Sequence, residues 1–300
     1  MKIAVTGAFS YSGKYITKRL LERGEEVFTL TNHPNRPDPF GGKVKAFPLD
    51  FGNKEELVQN LRGMDVLVNT YWVRFDKGSN TQPRAVENTK ILVDAAAKAG
   101  VKRIVHISIT NPSAESHLPY FWGKAANEKT VSESGMSYAI LRPTVLFGKE
   151  DILINNIAWL LRRLPLFGLP GDGSYKLSPV YVDDLAKLAV EAVYSKDNYV
   201  WDAVGPEEFT FKEMVELIGR SVGVKRPLVS FHPRLALFAA QFMSLFVNDV
   251  MLTPEEVDGL MANLLISREA PRCKTSLKDW LLEHRAGVGR QYASELARHF

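Results

Sequence analysis

Tyr120 and Lys124, four residues apart in "YFWGK", are the pair in this chain best suited to move a proton. On a helix, positions i and i+4 share a face. A lysine ammonium beside a phenol favours the phenolate and lowers its pKa from about 10. Such a phenol can exchange a proton with a carbonyl or alcohol oxygen. The competing reading makes Tyr120 a surface aromatic and pairs Lys124 with Glu128 along an exposed helix face. A second chemical stretch is "VTGAFSYSGKYITKRL", Val5 to Leu20. Gly7 and Gly13 bracket a turn from an apolar strand into a helix. Gly7 suits a sharp bend and Gly13 a close approach of helix to strand. The free N–H groups at the helix start suit a pyrophosphate. Ser10 stands where such turns carry a middle glycine; it is small, and its hydroxyl is a potential donor to phosphate.

The elements that must position these groups alternate from the first residue. "KIAVTG" reads as a strand. "GKYITKRLLERG" has Ile16, Leu20 and Leu21 on one helical face and Gly24 as a stop. "EVFTL" is a strand, "NHPNRPDPFGG" a loop, and "VKAFPLDF" strand-like. "NKEELVQNLRG" is a helix capped by Asn53, "DVLVNT" a strand, "QPRAVENTKILVDAAAKAG" a helix and "RIVHISI" a strand. Helix "WGKAANEKTVSESG" and strand "SYAILRPTVLFG" continue the series. The alternation predicts an α/β fold, a Rossmann-type doubly wound parallel sheet with right-handed crossovers. From about Phe209 the chain reads as mainly helical. Residues 1–150, with 176–202 returning to them, are expected to form the dinucleotide-binding domain. Residues 151–175 and 203–300 are expected to form a smaller, mainly helical substrate lobe. Ligands of open α/β sheets bind beyond the carboxyl ends of the strands.

Hydrophobic residues make up 45% and charged residues 24%, enough for a sizeable core. The net charge of +4 is spread without a long basic block, which argues against nucleic acid and suits a small anionic ligand. The single cysteine, Cys273, allows no disulfide within the chain, and the six histidines lack metal-ligand spacing. With the chain opening directly on a strand, these features lead us to expect a cytoplasmic protein without a targeting segment. No apolar run of about 18 residues suggests a membrane span. The stretch 234–252, "RLALFAAQFMSLFVNDVML", carries only Arg234 and Asp249 as charges. It reads either as a packed lobe helix or as a hydrophobic entrance or peripheral membrane contact.

Several stretches together resemble the extended and atypical short-chain dehydrogenase/reductases. They are "TGAFSYSG", Leu49–Asp50, "GVKRIVHIS", "LRPTVLFG" and "VYVDDLAKLAVEAV", in the family's order and across essentially the whole chain. The nearest branch holds the nucleotide-binding accessory subunit of respiratory complex I and NmrA-like proteins. The resemblance implies a nicotinamide dinucleotide cradled by Gly7, Phe9, Ser10, Tyr11, Ser12 and Gly13. Asp50 falls near the adenine, and Thr70, Pro143 and Thr144 line the rest of the cofactor path. Lys124 would bond the nicotinamide ribose. NAD-binding members carry an acid after the second strand. Here Thr31, Asn32 and His33 stand instead, followed by Arg36, which pairs with a 2′-phosphate. NADP(H) is therefore the expected cofactor, with NAD(H) second. A hydroxyl residue, Ser108 or Thr110, completes the family's catalytic set. Only nine residues separate Thr110 from Tyr120, fewer than in most extended members. Tyr71, Trp72 and Phe147 are candidate substrate contacts, Trp159 and Tyr175 weaker ones, and Asn88 a structural residue. The expected activity is hydride transfer to or from a carbonyl, alcohol or quinone-like substrate. The alternatives are a non-catalytic NAD(P)-binding scaffold or redox sensor and a sugar-nucleotide epimerase or dehydratase.

Overall fold

Ile3, Ala4 and Val5 form an uninterrupted apolar run, as a strand covered on both faces requires. They lie in β1 (Lys2–Thr6) of a computed structural model that describes residues 1–33 and 35–296, with the backbone alone at Leu245. The chain continues through α1 (Tyr11–Glu22), β2 (Glu26–Thr31), β3 (Lys45–Pro48), α2 (Lys54–Leu61) and β4 (Val66–Asn69). Then come α3 (Gln82–Ala99), β5 (Arg103–Ile107), α4 (Pro119–Ser132) and β6 (Ser137–Pro143). The next elements are β7 (Val145–Phe147), α5 (Leu153–Arg163), β8 (Phe167–Pro170), β9 (Lys176–Leu177) and β10 (Pro179–Tyr181). They are followed by α6 (Val182–Tyr194), β11 (Tyr199–Ala203), β12 (Phe209–Thr210) and α7 (Phe211–Ser221). The last are β13 (Leu228–Phe231), α8 (Pro233–Val247), α9 (Pro254–Met261) and α10 (Leu277–His284).

Two compact units result: Met1–Pro143 with Val182–Ala203, and Thr144–Tyr181 with the chain from Val204 onward. Of the lobe expected over 203–300, residues 297–300 lie outside the described residues.

The first unit is a seven-stranded, all-parallel sheet in the order β11-β6-β5-β4-β1-β2-β3. This is the doubly wound Rossmann-type architecture. On one face Leu57 of α2, Leu92 of α3 and Val131 of α4 pack over Ala4, Leu67 and Ile104. On the other, α1 and α6 are joined by a bidentate pair, Arg19 donating to Asp183 at 2.6 and 2.5 Å. Strand order reverses between β1 and β4, so the crevice of this sheet lies at their carboxyl ends.

The second unit has its own core, including Phe147, Leu161, Phe211, Met214, Trp280 and Leu281. "SYAILRPTVLFG", expected as one strand, is two. β6 ends at Pro143; β7 pairs instead with β10, and the Thr144 hydroxyl donates to the Ser178 carbonyl. Leu228–Phe231, in a stretch that reads as helical, is a strand pairing in parallel with β8. Pro227 and Pro233 bracket it, which confines it to an extended segment.

Candidate functional site

The glycine turn shows why each glycine stands where it does. Gly7 adopts φ +66° and donates its N–H to the Leu30 carbonyl at 2.9 Å. A Cβ on Gly13 would sit 2.1 Å from the Gly7 carbonyl oxygen, so only a hydrogen fits. Ser10 differs from expectation. Its hydroxyl donates at 2.6 Å to the Gly7 carbonyl, which also accepts the Ser10 N–H at 2.8 Å. The serine locks the turn from within rather than pointing its proton outward. No side chain caps α1, and its first turn holds no acid. The helix therefore presents the positive end of its dipole, with Ser12 half-buried and Tyr11 set edge-on to Tyr15.

Phe9 packs on Phe40, ring centroids 6.3 Å apart, which ties the loop after β2 to the turn. Asp38 shapes that loop by accepting the N–H groups of Phe40 and Gly42, both at 2.7 Å. The Thr31 hydroxyl accepts from the His33 N–H, Asn32 and His33 are exposed, and Arg36 is half-buried. Among the described residues Arg36 has no ion pair. Sequence reasoning missed Phe40; an aromatic before paired glycines in a loop that returns to the turn was its only signal.

Beneath the crevice lies a row of buried polar groups that sequence reasoning also missed. Thr6, Asn69 and His106 stand two residues beyond Ala4, Leu67 and Ile104 and so face the same side of the sheet. The Thr6 hydroxyl donates to Asn69 Oδ1 at 3.1 Å and accepts the N–H groups of Thr70 and Tyr71 at 2.7 and 3.1 Å. Asn69 Nδ2 donates to His106 Nδ1 at 3.1 Å, which leaves the ring proton on Nε2. This row sets the path of the loop that carries Thr70, Tyr71 and Trp72.

Burial, with a smaller push from Lys124, lowers the His106 pKa from 6.5 to about 3. Between those values the unfolded chain takes up the proton and the folded chain does not. The stabilisation is thus complete above about pH 6.5 and is lost as pH falls toward about 3. His106→Gln keeps an acceptor for Asn69 without a titrating ring. Its urea midpoint should decline less steeply than the wild type's between about pH 6.5 and about 4; parallel curves would refute this assignment.

Trp72, Tyr120 and Lys124 are brought together. Tyr120, half-buried in the first turn of α4, meets the Trp72 ring edge-on with centroids 5.6 Å apart. Lys124 is buried one turn later. Its Nζ donates to the Ile107 carbonyl at 3.0 Å and stands 4.9 Å over the Trp72 ring. Glu128 is not its partner on an exposed face: that carboxylate accepts from Arg142 at 2.9 and 2.5 Å. Burial, partly offset by the more distant Glu128 charge, lowers the Lys124 pKa from 10.5 to about 7. Gly123 makes room for the indole; a Cβ there would stand 2.5 Å from Trp72.

β5 ends at Ile107, but the chain stays extended. The N–H groups of Ser108 and Thr110 donate to Leu141 and Pro143 at 2.8 and 3.1 Å. Both residues are buried, and Asn111 then turns the backbone into the left-handed region at φ 53°. Ser108 Oγ and Trp72 Nε1 are buried donors without a partner among the described residues, as is the Asn127 side chain on α4. Tyr71 is turned another way. Its hydroxyl accepts from Asn88 Nδ2 at 2.9 Å, and its ring packs on Phe51 over the helix-side core.

The remaining candidates are divided between the two units. Asp50 is exposed and accepts the Gly52 N–H at 2.8 Å. Pro143 ends β6 in the first unit. Thr144 and Phe147 belong to the second, where Phe147 is fully buried against Tyr181 and Trp280. Trp159 meets Tyr292 edge-on, and Tyr175 is buried against Phe211.

A family model described as NAD(P)H-binding matches residues 7–158. The NADH-ubiquinone oxidoreductase 40 kDa subunit of Neurospora crassa is 25% identical over 279 residues, covering 90% of this chain and 73% of that protein. An uncharacterised protein of Mycobacterium tuberculosis is 28% identical over 81% of this chain, which spans only 27% of its length. Two solved structures share the fold. NADPH-dependent quinone oxidoreductase QOR2 of Escherichia coli, complexed with NADPH, matches with TM-score 0.76 at 18% identity, over 95% of this chain and 98% of the other. MoeE5 in complex with UDP-glucose and NAD matches with TM-score 0.71 at 19% identity, over 97% and 99%.

Proposed function

We propose that this chain, which belongs to the NAD(P)H-binding family of extended short-chain dehydrogenase/reductase type, is an NADP(H)-dependent oxidoreductase acting on a carbonyl, alcohol or quinone-like substrate. The observation that carries this reading is the buried Lys124 ammonium one helical turn from the half-buried Tyr120, with Trp72 against both. The residues present fit a dinucleotide. Gly13, where a Cβ would collide with the Gly7 carbonyl, lets α1 start close against the turn, α1 opens uncapped, and Ser108 and Trp72 hold buried donors with no acceptor among the described residues. The bound nicotinamide supplies or takes up the hydride.

In reduction the Tyr120 phenol gives its proton to the substrate oxygen, and in oxidation the phenolate takes it back. Lys124 holds positive charge near that oxygen and favours the phenolate. Ser108 or Thr110 donates a hydrogen bond that fixes the substrate oxygen, and Trp72 walls the substrate with its ring. Gly7 through Gly13 hold the pyrophosphate. Arg36 pairs with the 2′-phosphate, since Thr31, Asn32 and His33 bring no carboxylate to repel it. The similarity of QOR2, solved with NADPH, supports this choice, and the MoeE5 complex with NAD keeps the other nucleotide as the comparison. Cys273, buried and outside any disulfide, suits the reducing cytoplasm.

Thermal-shift titration with NADPH and NADH, followed by turnover on carbonyl and quinone substrates, tests the proposal. NADPH is expected to stabilise the chain more than NADH. Arg36→Glu should cost about tenfold to a hundredfold in NADPH affinity and leave NADH nearly unchanged. Tyr120→Phe should lower kcat by about 10²–10⁴ with binding retained. NADPH binding without turnover on any substrate would make the chain a binding scaffold.

A further inference from the structure

Helix α8 carries large apolar side chains outward in a regular row. Leu235, Phe238, Phe242 and Phe246 are 53%, 66%, 55% and 71% exposed. Their spacing of three, four and four residues places them on one face. The opposite face rests on the second unit through the half-buried Ala236, Leu237, Ala240 and Met243. A helix apolar on both sides needs a second cover.

The flanks say what kind. From Gly223 to Asn248 the chain carries Lys225, Arg226 and Arg234 and no acid. Lys225 and Arg234 are exposed. The helix is also held firmly at its end. Asn248 caps it in the left-handed conformation. The buried Asp249 accepts from the Tyr292 hydroxyl and from the Glu295 and Leu296 N–H groups at 2.8–3.0 Å. The row is therefore presented on a fixed element. At 15 residues the helix is about 22 Å long, less than the roughly 30 Å of a bilayer's hydrocarbon core. Among the described residues no helix is long and apolar enough to cross a membrane.

We propose that the β13–α8 segment docks on an anionic lipid surface. The Phe238, Phe242 and Phe246 rings enter the acyl boundary, and Lys225 and Arg234 meet the headgroup phosphates. The exposed charges of the stretch, Lys225 and Arg234, are both basic, while Arg226 is half-buried and donates to the Leu161 carbonyl, and this favours an anionic occupant over a second copy of the same basic, apolar face. Two such faces would repel at their rims.

Flotation of the full chain with vesicles of phosphatidylglycerol and phosphatidylcholine in equal parts tests this. Binding is expected at low salt, weaker on pure phosphatidylcholine and weakened by added salt. The triple variant Phe238→Ser, Phe242→Ser, Phe246→Ser should lose on the order of a hundredfold in vesicle affinity, with its thermal unfolding and NADPH shift unchanged. Lys225→Glu and Arg234→Glu should each cost roughly fivefold or more on anionic vesicles alone. Failure of the wild type to float with anionic vesicles would overturn the proposal. So would equal flotation of the triple variant. A concentration-dependent dimer that the triple variant abolishes, without vesicle binding, would assign the face to a second copy instead. None of these outcomes depends on whether the chain turns over a substrate.

Discussion

Gly13→Ala is expected to abolish dinucleotide binding and to lower the melting temperature by roughly 6 °C or more. The new Cβ would meet the Gly7 carbonyl oxygen at 2.1 Å and its carbon at 2.9 Å. Both are backbone atoms, so no side chain can swing aside. Relief requires moving α1 away from β1 by about an ångström, and overpacking of this kind costs about 1–3 kcal/mol or more. In a unit of this size that is a drop of several degrees, at roughly 2–4 °C per kcal/mol. The same shift moves the N–H groups that would face a pyrophosphate, so binding suffers beyond the stability loss. Ser10→Gly is the contrasting control. It restores the usual middle glycine and removes one hydroxyl donation to Gly7, worth about 1 kcal/mol. Its nucleotide affinity should stay within a few-fold of wild type. Differential scanning fluorimetry with and without NADPH reads both variants; wild-type binding by Gly13→Ala would show that this turn does not hold the nucleotide.

The sheet was legible because each βα repeat announces itself locally: an apolar run, a turn glycine, then an amphipathic helix. That Tyr120 and Lys124 stand one turn apart on a single helix was legible for the same reason, since the five residues 120–124 decide it. What stayed hidden depends on partners far along the chain. Nothing near Asn69 or His106 says that each will meet a neighbour from another strand. A polar residue at the carboxyl end of three successive central strands was the available sign. Tyr71 and Trp72 are equivalent in a loop sequence. Only the fold sends Tyr71 to Asn88 and Phe51 and Trp72 to Tyr120. Gly123 looks like a helix weakness until the indole beside it is seen. The break at Thr144 and the strand β13 follow from pairing with β10 and β8, which no local pattern encodes.

Lys124→Met should move stability and activity in opposite directions, and that opposition separates a functional lysine from a structural one. The buried ammonium makes one hydrogen bond, to the Ile107 carbonyl, and its carboxylate neighbour Glu128 is engaged by Arg142. Burial holds its pKa near 7 against 10.5 when exposed. As pH falls from about 10.5 to about 7, the unfolded chain takes up a proton that the folded chain resists. The wild-type protein without nucleotide therefore loses stability over that window and levels off below about pH 7. The full span corresponds to at most on the order of 5 kcal/mol, at about 1.4 kcal/mol per unit. Methionine fills nearly the same volume without charge. At neutral pH the variant should be more stable by on the order of 2 kcal/mol, after the loss of the Ile107 hydrogen bond. Its stability should also be flat where the wild type's rises. Turnover should fall by about a hundredfold or more, because the phenol of Tyr120 loses the charge that favours its phenolate. The NADPH-induced thermal shift should shrink as well. Denaturant melts from pH 7 to 10, set beside turnover, check both signs. A variant less stable than wild type, beside a wild type that shows no alkaline rise, would mean that Lys124 is held charged by the fold. If turnover were also unchanged in that variant, the ammonium would belong to the packing of α4 on β5, and the proton chemistry would have to be sought elsewhere.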